Sequence, residues 1–329
     1  MKEYKNREYL FDNYKALLIL LIVVGHFFDL SYKSNGFSYY FKWIVYPFHI
    51  PAFVFISGYF SKKKYKIKDL FIKLVVPYLV FEVVYYLYYT YILHVETGLY
   101  LLNPKFTLWY LMCLFVWRLI PTKQNIQYLF IGLSVIAGLL IGVSDISSNY
   151  LSIPRMFAFL PFFLVGRWFS SEKVTKLRTK KGRLICTGVF IASAGFILIM
   201  EKILSLPPRV MYGRYNYEYL GESDIEGLLI RLCYYIIAFT MLIALLGMIT
   251  DKKSRFSVLG MRTLPIYIIH GFVFKFVQTE TNLLKSVNTS IEVIGLLAFS
   301  IFLVILLSLP IFDKAISFIS GGYIKNSEG

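Results

Sequence analysis

Long apolar stretches, separated by short polar and cationic blocks, dominate the pattern of this chain. A helix that crosses a lipid bilayer needs about 20 mostly apolar residues, and ten stretches approach that length. Hydrocarbon offers no hydrogen bonds, so a spanning segment must satisfy its own backbone, as a helix does. The pattern therefore predicts an all-α bundle of about ten membrane-spanning helices, at roughly 13–31, 43–60, 71–93, 106–120, 127–144, 154–170, 184–202, 228–249, 263–279 and 291–312.

The composition agrees with an integral membrane protein rather than a soluble one. Of the 329 residues, 57% are hydrophobic, whereas soluble proteins average roughly 45–50%. No small-residue cleavage site follows the first apolar stretch, so we predict that it stays in the protein as a signal anchor. The chain ends soon after the tenth stretch, so we expect one integral-membrane domain over residues 1–329 and no appended soluble domain. The three cysteines form no disulfide or zinc pattern, and no metal is expected.

The positive charge is arranged in a way that indicates membrane topology. The net charge of +16 lies mostly in short blocks between the apolar stretches, whereas a nucleic-acid-binding protein concentrates its charge on a soluble basic face. Cytoplasmic loops are enriched in Lys and Arg. Assigning the cationic loops to the cytoplasm predicts an N-in and C-in topology, with 167–183 inside and 203–227 outside. We therefore expect contact with membrane lipids and no nucleic-acid partner.

The longest outer loop, 203–227, contains a Pro pair, several Tyr residues and four carboxylates. It is too short to form a separate domain. Two interpretations are equally open from the sequence, namely a lid over an outward-facing pocket and an ordinary solvated loop.

The first apolar stretch carries the most informative residue, His26. An ionisable residue inside a membrane span is costly and therefore marks a candidate functional site. Lys15 precedes His26 by about three helical turns, which places both on one helical face, about 16 Å apart along the axis. Asp12 lies one turn before Lys15, a spacing at which opposite charges pair. The pattern predicts a site that runs from the cytoplasmic boundary into the membrane.

The second stretch places His49, Phe53 and Ser57 along one side of a helix, because each is four positions from the next. Pro51 frees a backbone carbonyl group and favours a kink. His49 is therefore either a functional imidazole or a structural one that binds this carbonyl. Ser57 likewise belongs either to a site or, with Gly58, to a close contact between helices.

Six blocks, in order along most of the chain, make this sequence resemble the membrane acyltransferase-3 family, particularly its fucose 4-O-acetylase-like branch. Many relatives have Arg at the positions of Lys15 and Lys73. The blocks are Asp12-Asn13-Tyr14-Lys15 leading to Gly25-His26, Phe48-His49-Ile50-Pro51 through Ser57-Gly58-Tyr59-Phe60, Lys73-Leu74-Val75-Val76-Pro77-Tyr78, Leu108-Trp109-Tyr110-Leu111, Arg155 with Leu160-Pro161-Phe162-Phe163-Leu164-Val165-Gly166, and Leu264-Pro265-Ile266-Tyr267-Ile268-Ile269-His270.

The resemblance implies a multi-pass enzyme of the bacterial plasma membrane that transfers an acyl group, usually acetyl, from cytoplasmic acyl-CoA. The implied acceptor is a sugar hydroxyl of a capsular or other cell-surface polysaccharide, or of its lipid-linked precursor. Acetyl-CoA is the expected co-substrate. The alternative function is a glycan transporter or flippase, because helices with buried His, Glu and Arg also serve transport. A cationic cytoplasmic entrance joined to His26 favours the acyltransferase, since a transporter has no need of acyl-CoA.

Acyl transfer to an alcohol needs a base for the hydroxyl proton, or a nucleophile that first carries the acyl group. Neutral imidazole does either near pH 7. We assign this chemistry to His26 and leave both alternatives open. Asp12, Lys15 and His49 are the accompanying catalytic candidates.

Donor binding requires cations on the cytoplasmic side, because coenzyme A carries phosphates. The candidates are Lys15, Lys73, Lys63 and Lys64, although topology alone explains the Lys62–Lys68 block equally well. Lys binds phosphate as a point charge without the bidentate geometry of Arg.

Substrate binding is assigned to residues of the later blocks, namely Ser57, Trp109, Arg155, Tyr267 and His270. Trp109 either anchors the helix at the membrane interface or stacks on a sugar ring. Arg155 either clamps an acceptor phosphate or sugar, or extends to the interface. Glu82, well inside the third stretch, requires a partner.

Overall fold

The computed structural model describes residues 8–121, 124–146, 148–170 and 172–321, and these residues form helices and loops without a strand. Short helical segments in the connections include Glu172–Leu177, Pro208–Tyr212 and Tyr217–Leu220. The main helices are α1 (Tyr9–Phe28), α2 (Gly36–Val45), α3 (His49–Tyr59), α4 (Ile67–Ile92), α5 (Trp109–Leu119), α6 (Gln127–Val143), α7 (Ile153–Trp168), α8 (Lys180–Leu204), α9 (Asp224–Met248), α10 (Arg255–Met261), α11 (Thr263–Glu280), α12 (Ser290–Leu307) and α13 (Pro310–Ile319).

The all-α membrane bundle is confirmed, and each of the ten predicted stretches contains helix. Among the described residues, five helices are long and apolar enough to cross a bilayer, or six if the bent pair α10–α11 counts as one span. Helices α5 and α6 are apolar but shorter. The prediction of ten crossings therefore remains a prediction.

Prolines lie beside the break in one predicted span and in the first helical turn of another. The stretch predicted at 43–60 is not one helix, because α2 ends at Val45, just before Pro47, and α3 begins at His49. Proline has no N–H to donate, but it is tolerated in a first helical turn, where N–H groups lack intrahelical partners. Pro51 occupies that first turn of α3, and Pro265 occupies it in α11, after a 78° bend.

Helix α1 lies at the centre of the bundle. Most of its residues are buried, and it packs against α2, α3, α10, α11 and α12. At its first turns the Asn13 amide donates to the carbonyls of Thr250 (2.8 Å) and Lys252 (3.0 Å). The Tyr14 hydroxyl donates to the carbonyl of Leu242 at 2.9 Å. The side chains of Asn13 and Tyr14 are therefore held by backbone carbonyls near the end of α9.

Helices α3 and α7 pack closely because each carries a glycine at the crossing. A Cβ atom on Gly58 would collide with the carbonyl of Phe163, and one on Gly166 would collide with the carbonyl of Phe55. Small residues allow two helix backbones to approach in this way. Gly58 therefore serves the close helix contact that the sequence left open for it.

The segments predicted to lie inside gather at one end of the bundle. Lys62 donates to the carbonyl of Phe169 at 2.7 Å, and Arg178 pairs with Asp251 at 2.8 Å. The hydrogen bond from the Arg178 guanidinium lowers the pKa of the Asp251 carboxyl to about 2, so this pair stays ionised at neutral pH.

The segments predicted to lie outside gather at the opposite end. Lys42 contacts Asp29 at 2.5 Å, and the Tyr39 hydroxyl donates to Glu201. This segregation matches the predicted alternation of sides. The assignment of one end to the cytoplasm remains a prediction.

We expect a cysteine at position 180 to be inaccessible and one at position 218 to be accessible to an impermeant maleimide on intact cells. Lys180 and Glu218 are both exposed. They are predicted to lie on opposite sides of the membrane. The background would carry alanine at Cys113, Cys186 and Cys233. Permeabilised cells, in which both sites should react, provide the control. Labelling of position 180 but not 218 in intact cells would reverse the topology.

Candidate active site

His26 lies near the end of α1 that is predicted to face outward, here called the outer end, and the opposite end is called the inner end. It is surrounded there by rings from α11 and from the loop before α5. Its ring stacks on His270, with centroids 5.4 Å apart and planes at 27°. Phe106 and Phe274 lie 4.9 and 5.6 Å from it and stack on each other at 5.3 Å. His26 itself stays partly accessible. The imidazole is thus confined on several sides without being sealed from a ligand.

His270 is fully buried and presents a free acceptor nitrogen. Its Nδ1 lies 2.8 Å from the carbonyl of Ile266, and because a carbonyl only accepts, Nδ1 carries the proton in the neutral ring. Nε2 is then an acceptor, and it is buried without a hydrogen-bond partner among the described residues. Buried polar atoms are seldom left unpaired. The arrangement therefore provides a second imidazole base beside His26.

The backbone around Phe106 is held in an unusual conformation. Phe106 has φ of +45°, a left-handed value that is strained for a bulky residue and that requires support from its surroundings. On one side, the backbone N–H of Lys105 donates to Glu82 at 2.6 Å. On the other, the Tyr267 hydroxyl donates to the carbonyl of Thr107. Glu82 on α4, which required a partner, thereby fixes the ring that packs on His26.

A network of polar and aromatic side chains extends from His270 to the second of the six sequence blocks, on α3. The Tyr267 ring lies 6.2 Å from His270 and 5.6 Å from Tyr110. The hydroxyls of Tyr110 and Ser57 are 2.5 Å apart. The structure therefore brings three predicted substrate-binding residues, Ser57, Tyr267 and His270, into one continuous set beside His26.

Trp109 and Arg155 join the same region. Trp109 is 8% exposed, so it packs inside the bundle rather than at the lipid-facing surface, which argues against the interfacial anchor. The Arg155 guanidinium lies over the Trp109 ring, 4.9 Å from its centroid, and is within electrostatic range of His26. A cation from α7 and an aromatic ring from α5 thus lie together in the same region as the imidazole.

His49 lies beside this region on α3, but one of its nitrogens has a structural task. Nδ1 donates to the carbonyl of Val45 at 3.0 Å, near the end of α2. This is a structural carbonyl contact of the kind the sequence allowed, although the carbonyl belongs to Val45, which also accepts from the N–H of Phe48 at 3.2 Å. The Tyr46 ring lies 4.8 Å from the His49 ring, so Nε2 is the atom left for chemistry.

The inner end of α1 carries the predicted ion pair. Lys15 Nζ lies 3.0 Å from Asp12 Oδ1 and 5.2 Å from the centroid of the Phe60 ring. Lys63, Lys64 and Lys73 are exposed. The structure therefore places these three cations outside the packed part of the site.

Several residues of the site carried no recognisable signal in the sequence. Phe106, Phe274 and Lys275 reach His26 from other segments, with Lys275 Nζ 5.2 Å from the centroid of the Phe106 ring. Asp29 was also missed. It follows His26 by one helical turn, just beyond the end of α1, and that spacing was available as a signal. Its contacts with Lys42, Tyr46 and Tyr212 depend on two other segments, α2 with the residue that follows it and the outer loop.

The geometry of the site defines a class of protein. Imidazoles with acceptor nitrogens lie inside a membrane bundle, between a cationic end and an end rich in hydroxyls. Among the described residues, no group of three or more His, Cys, Asp or Glu side chains is placed to hold a metal ion. The arrangement is suited to proton transfer or nucleophilic catalysis by imidazole.

Comparison with known proteins agrees with this class. The family model described as an acyltransferase domain, that of the acyltransferase-3 family, matches residues 8–312, so the chain belongs to that family and is a membrane acyltransferase. Nodulation protein NolL of Sinorhizobium fredii (strain NBRC 101917 / NGR234) is 42% identical over 60 residues. That similarity covers 17% of this chain and 16% of NolL. No solved structure matches the chain significantly.

We expect Glu82→Ala to destabilise the protein and to lower its turnover. The substitution leaves the buried N–H of Lys105 without an acceptor, which costs about 1–3 kcal/mol, and it releases Phe106 from His26. The measurements are the thermal unfolding midpoint of detergent-purified protein and acyl transfer. Glu280→Ala, at an exposed position, is the matched control. Equal midpoints and equal turnover for the two variants would show that Glu82 does not support the site.

Proposed function

We propose that this protein transfers an acyl group, chiefly acetyl, from cytoplasmic acyl-CoA to a sugar hydroxyl of a cell-surface polysaccharide or its lipid-linked precursor. The observation that carries the proposal is the pair of sites on α1. The Asp12–Lys15 pair lies at one end and the partly accessible His26 near the other. Membership of the acyltransferase-3 family supports the acyl-transfer reaction itself.

The spacing on α1 suits the shape of the donor. Coenzyme A carries its phosphates far from its thioester, at opposite ends of the pantetheine arm. With the phosphates near Lys15, the arm runs along α1 and brings the thioester toward His26, about 16 Å away at 1.5 Å per residue. Exposed Lys63, Lys64 and Lys73 then attract the anionic donor to this end.

Two chemical routes use the same imidazole. As a general base, His26 takes the proton of the acceptor hydroxyl while its oxygen attacks the thioester carbonyl. The C–S bond then breaks, and the coenzyme A thiolate takes the proton from the imidazolium. As a nucleophile, the imidazole forms an N–acyl bond first, coenzyme A leaves, and the hydroxyl then attacks the acyl-imidazole. In the second step of that route we assign the acceptance of the hydroxyl proton to His270 Nε2, which is without a hydrogen-bond partner among the described residues and later releases the proton to solvent.

A glycan transporter or flippase remains the second candidate, because polar groups from several helices converge near the outer end. The two functions differ in one measurable respect. The acyltransferase consumes acetyl-CoA in proportion to acetyl groups added to glycan. A transporter moves glycan across vesicles without consuming acetyl-CoA.

We expect His26→Ala and His26→Gln to lose acyl transfer by at least about 100-fold, the lower end of the contribution from a general base. The measurement is transfer of radiolabelled acetyl from acetyl-CoA to the glycan fraction in membranes. His94→Gln is the matched control, since His94 is exposed. Equal amounts of protein in the membrane fraction exclude loss of folding. Near wild-type transfer in either His26 variant would remove His26 from the chemistry.

Substitution of the donor-binding lysines should weaken acetyl-CoA binding. Each lost contact with phosphate costs about 1–3 kcal/mol, the range for hydrogen bonds to charged groups. The measurement is acetyl-CoA affinity of purified Lys15→Gln and Lys73→Gln, with Lys285→Gln at the opposite end as the control. Lys15→Arg should retain binding because it keeps the charge. Unchanged affinity in both Gln variants would move the donor site elsewhere.

A further inference from the structure

Asp29 forms a rigid carboxylate centre at the outer end of α1, one helical turn beyond His26. Lys42 Nζ lies 2.5 Å from its Oδ1, and the hydroxyls of Tyr46 and Tyr212 lie 3.1 and 3.2 Å from the same oxygen. The Tyr46 hydroxyl is also 3.0 Å from the carbonyl of Gly25, so its proton is shared between two acceptors. Residues from α1, α2 and the outer loop thus converge on one oxygen atom.

The second oxygen of this carboxylate is left open. No hydrogen bond among the described residues reaches Asp29 Oδ2, and the Asp29 side chain is 31% exposed, whereas that of Lys42 is 5% exposed. An ionised carboxylate accepts hydrogen bonds at both oxygens and donates none. The side chain is therefore held in place through Oδ1 while Oδ2 is presented to a ligand as a pure acceptor.

The position of Asp29 brings its carboxylate close to the imidazole of the proposed reaction. His26 and Asp29 are three residues apart, and Asp29 keeps helical backbone angles at the end of α1. Side chains with this spacing lie on one face, with Cβ atoms about 5–6 Å apart. Two neighbouring hydroxyl groups on one sugar ring fit such a pair, one directed at the imidazole and the other at the carboxylate.

We propose that Asp29, held by Lys42, Tyr46 and Tyr212, is the acceptor subsite, and that it binds a free hydroxyl adjacent to the one that is acylated. This inference rests on the proposed function. It specifies the acceptor as an uncharged sugar unit with two neighbouring hydroxyls, because a phosphate or carboxylate at Oδ2 would meet a like charge. A site built to pair with a hydroxyl also discriminates strongly against an analogue that lacks it.

The outer loop completes this subsite. Tyr212 ends the helical segment Pro208–Tyr212, and Gly213 follows with φ of +59°, a left-handed turn that glycine adopts readily. Val210 and Met211 are buried in the same segment, so the loop is anchored on the bundle. Of the two interpretations of 203–227, the contact of Tyr212 with Asp29 supports a cover over the acceptor side.

The test compares two variants of the subsite with a control at the same end. Asp29→Asn removes the charge and replaces one oxygen by a donor. The double variant Asp29→Leu with Lys42→Met removes both charges, which avoids leaving a buried ammonium unpaired. Asp145→Asn makes the same change at an exposed carboxylate that accepts a hydrogen bond from Asn216 at 3.2 Å. The readouts are ester-linked acetate per sugar in cells and acetyl-CoA affinity of purified protein.

Ester-linked acetate is measured separately in the polymeric glycan and in the solvent-extractable lipid-linked fraction, which identifies the source of the acceptor. We expect both Asp29 variants to lose acetate by about 10-fold or more, as for a lost hydrogen bond to a charged group. Acetyl-CoA affinity should stay within about twofold, since the donor site lies at the other end. Asp145→Asn should match the wild type in both readouts.

Two results would overturn the subsite while leaving the proposed function intact. One is acetate within about twofold of the wild type in both Asp29 variants. The other is a parallel fall of acetyl-CoA affinity, which would place the effect on the donor or on the fold. If the wild type added no acetate to either fraction relative to His26→Ala, the sugar acceptor itself would be rejected, whatever the Asp29 variants did.

Discussion

The polar groups that α1 brings into the bundle need partners within the protein, because hydrocarbon supplies none. The amide of Asn13 and the hydroxyl of Tyr14 meet backbone carbonyls near the end of α9. The carbonyl of Gly25 and the carboxylate of Asp29 meet Tyr46 and Lys42. Satisfying these groups fixes the depth and the rotation of α1. The position of His26 follows from that, since it lies between Gly25 and Asp29 of the second set of contacts.

The same constraint explains why the loop before α5 is so tightly held. Backbone groups of 105–107 lie inside the bundle, where each unpaired N–H or carbonyl would carry a large cost. Glu82 and Tyr267 meet them from α4 and α11. The strained conformation of Phe106 is sustained by these bonds, and its ring in turn limits the movement of His26. A buried carboxylate far from the imidazole in sequence thereby contributes to the geometry of the site.

The proposed reaction uses an asymmetry along α1. Its inner end carries the Asp12–Lys15 pair and has exposed lysines nearby, a setting that attracts an anionic donor. Its outer end carries Asp29 within a group of hydroxyls, a setting suited to an uncharged sugar. His26 stands one turn from the acceptor side. In the proposed reaction, a single helix thus connects the two substrates.

Much of the fold was predictable, because apolar length and Lys and Arg distribution are local properties. The ten predicted stretches all contain helix, and the Asp12–Lys15 pair needed only helical spacing. The break at Pro47 was missed because Pro51, in the same stretch, was judged to be the interruption, whereas a proline in a first turn is tolerated. The sequence indicated His26, Ser57, Trp109, Arg155, Tyr267 and His270 as separate blocks. It had no means of showing that the later blocks surround His26.

The sequence by itself determined that this is a helical membrane protein, that His26 and Lys15 share one face of its first helix, and which family blocks it contains. Those features depend on composition and on spacing within single helices. Only the tertiary structure decided that Phe106, stabilised by Glu82, lies against His26, and that Asp29 is held by α2 and the outer loop with one oxygen open. These contacts join residues distant in sequence. Their partners are selected by packing and by the need to satisfy buried polar groups, which no local pattern encodes.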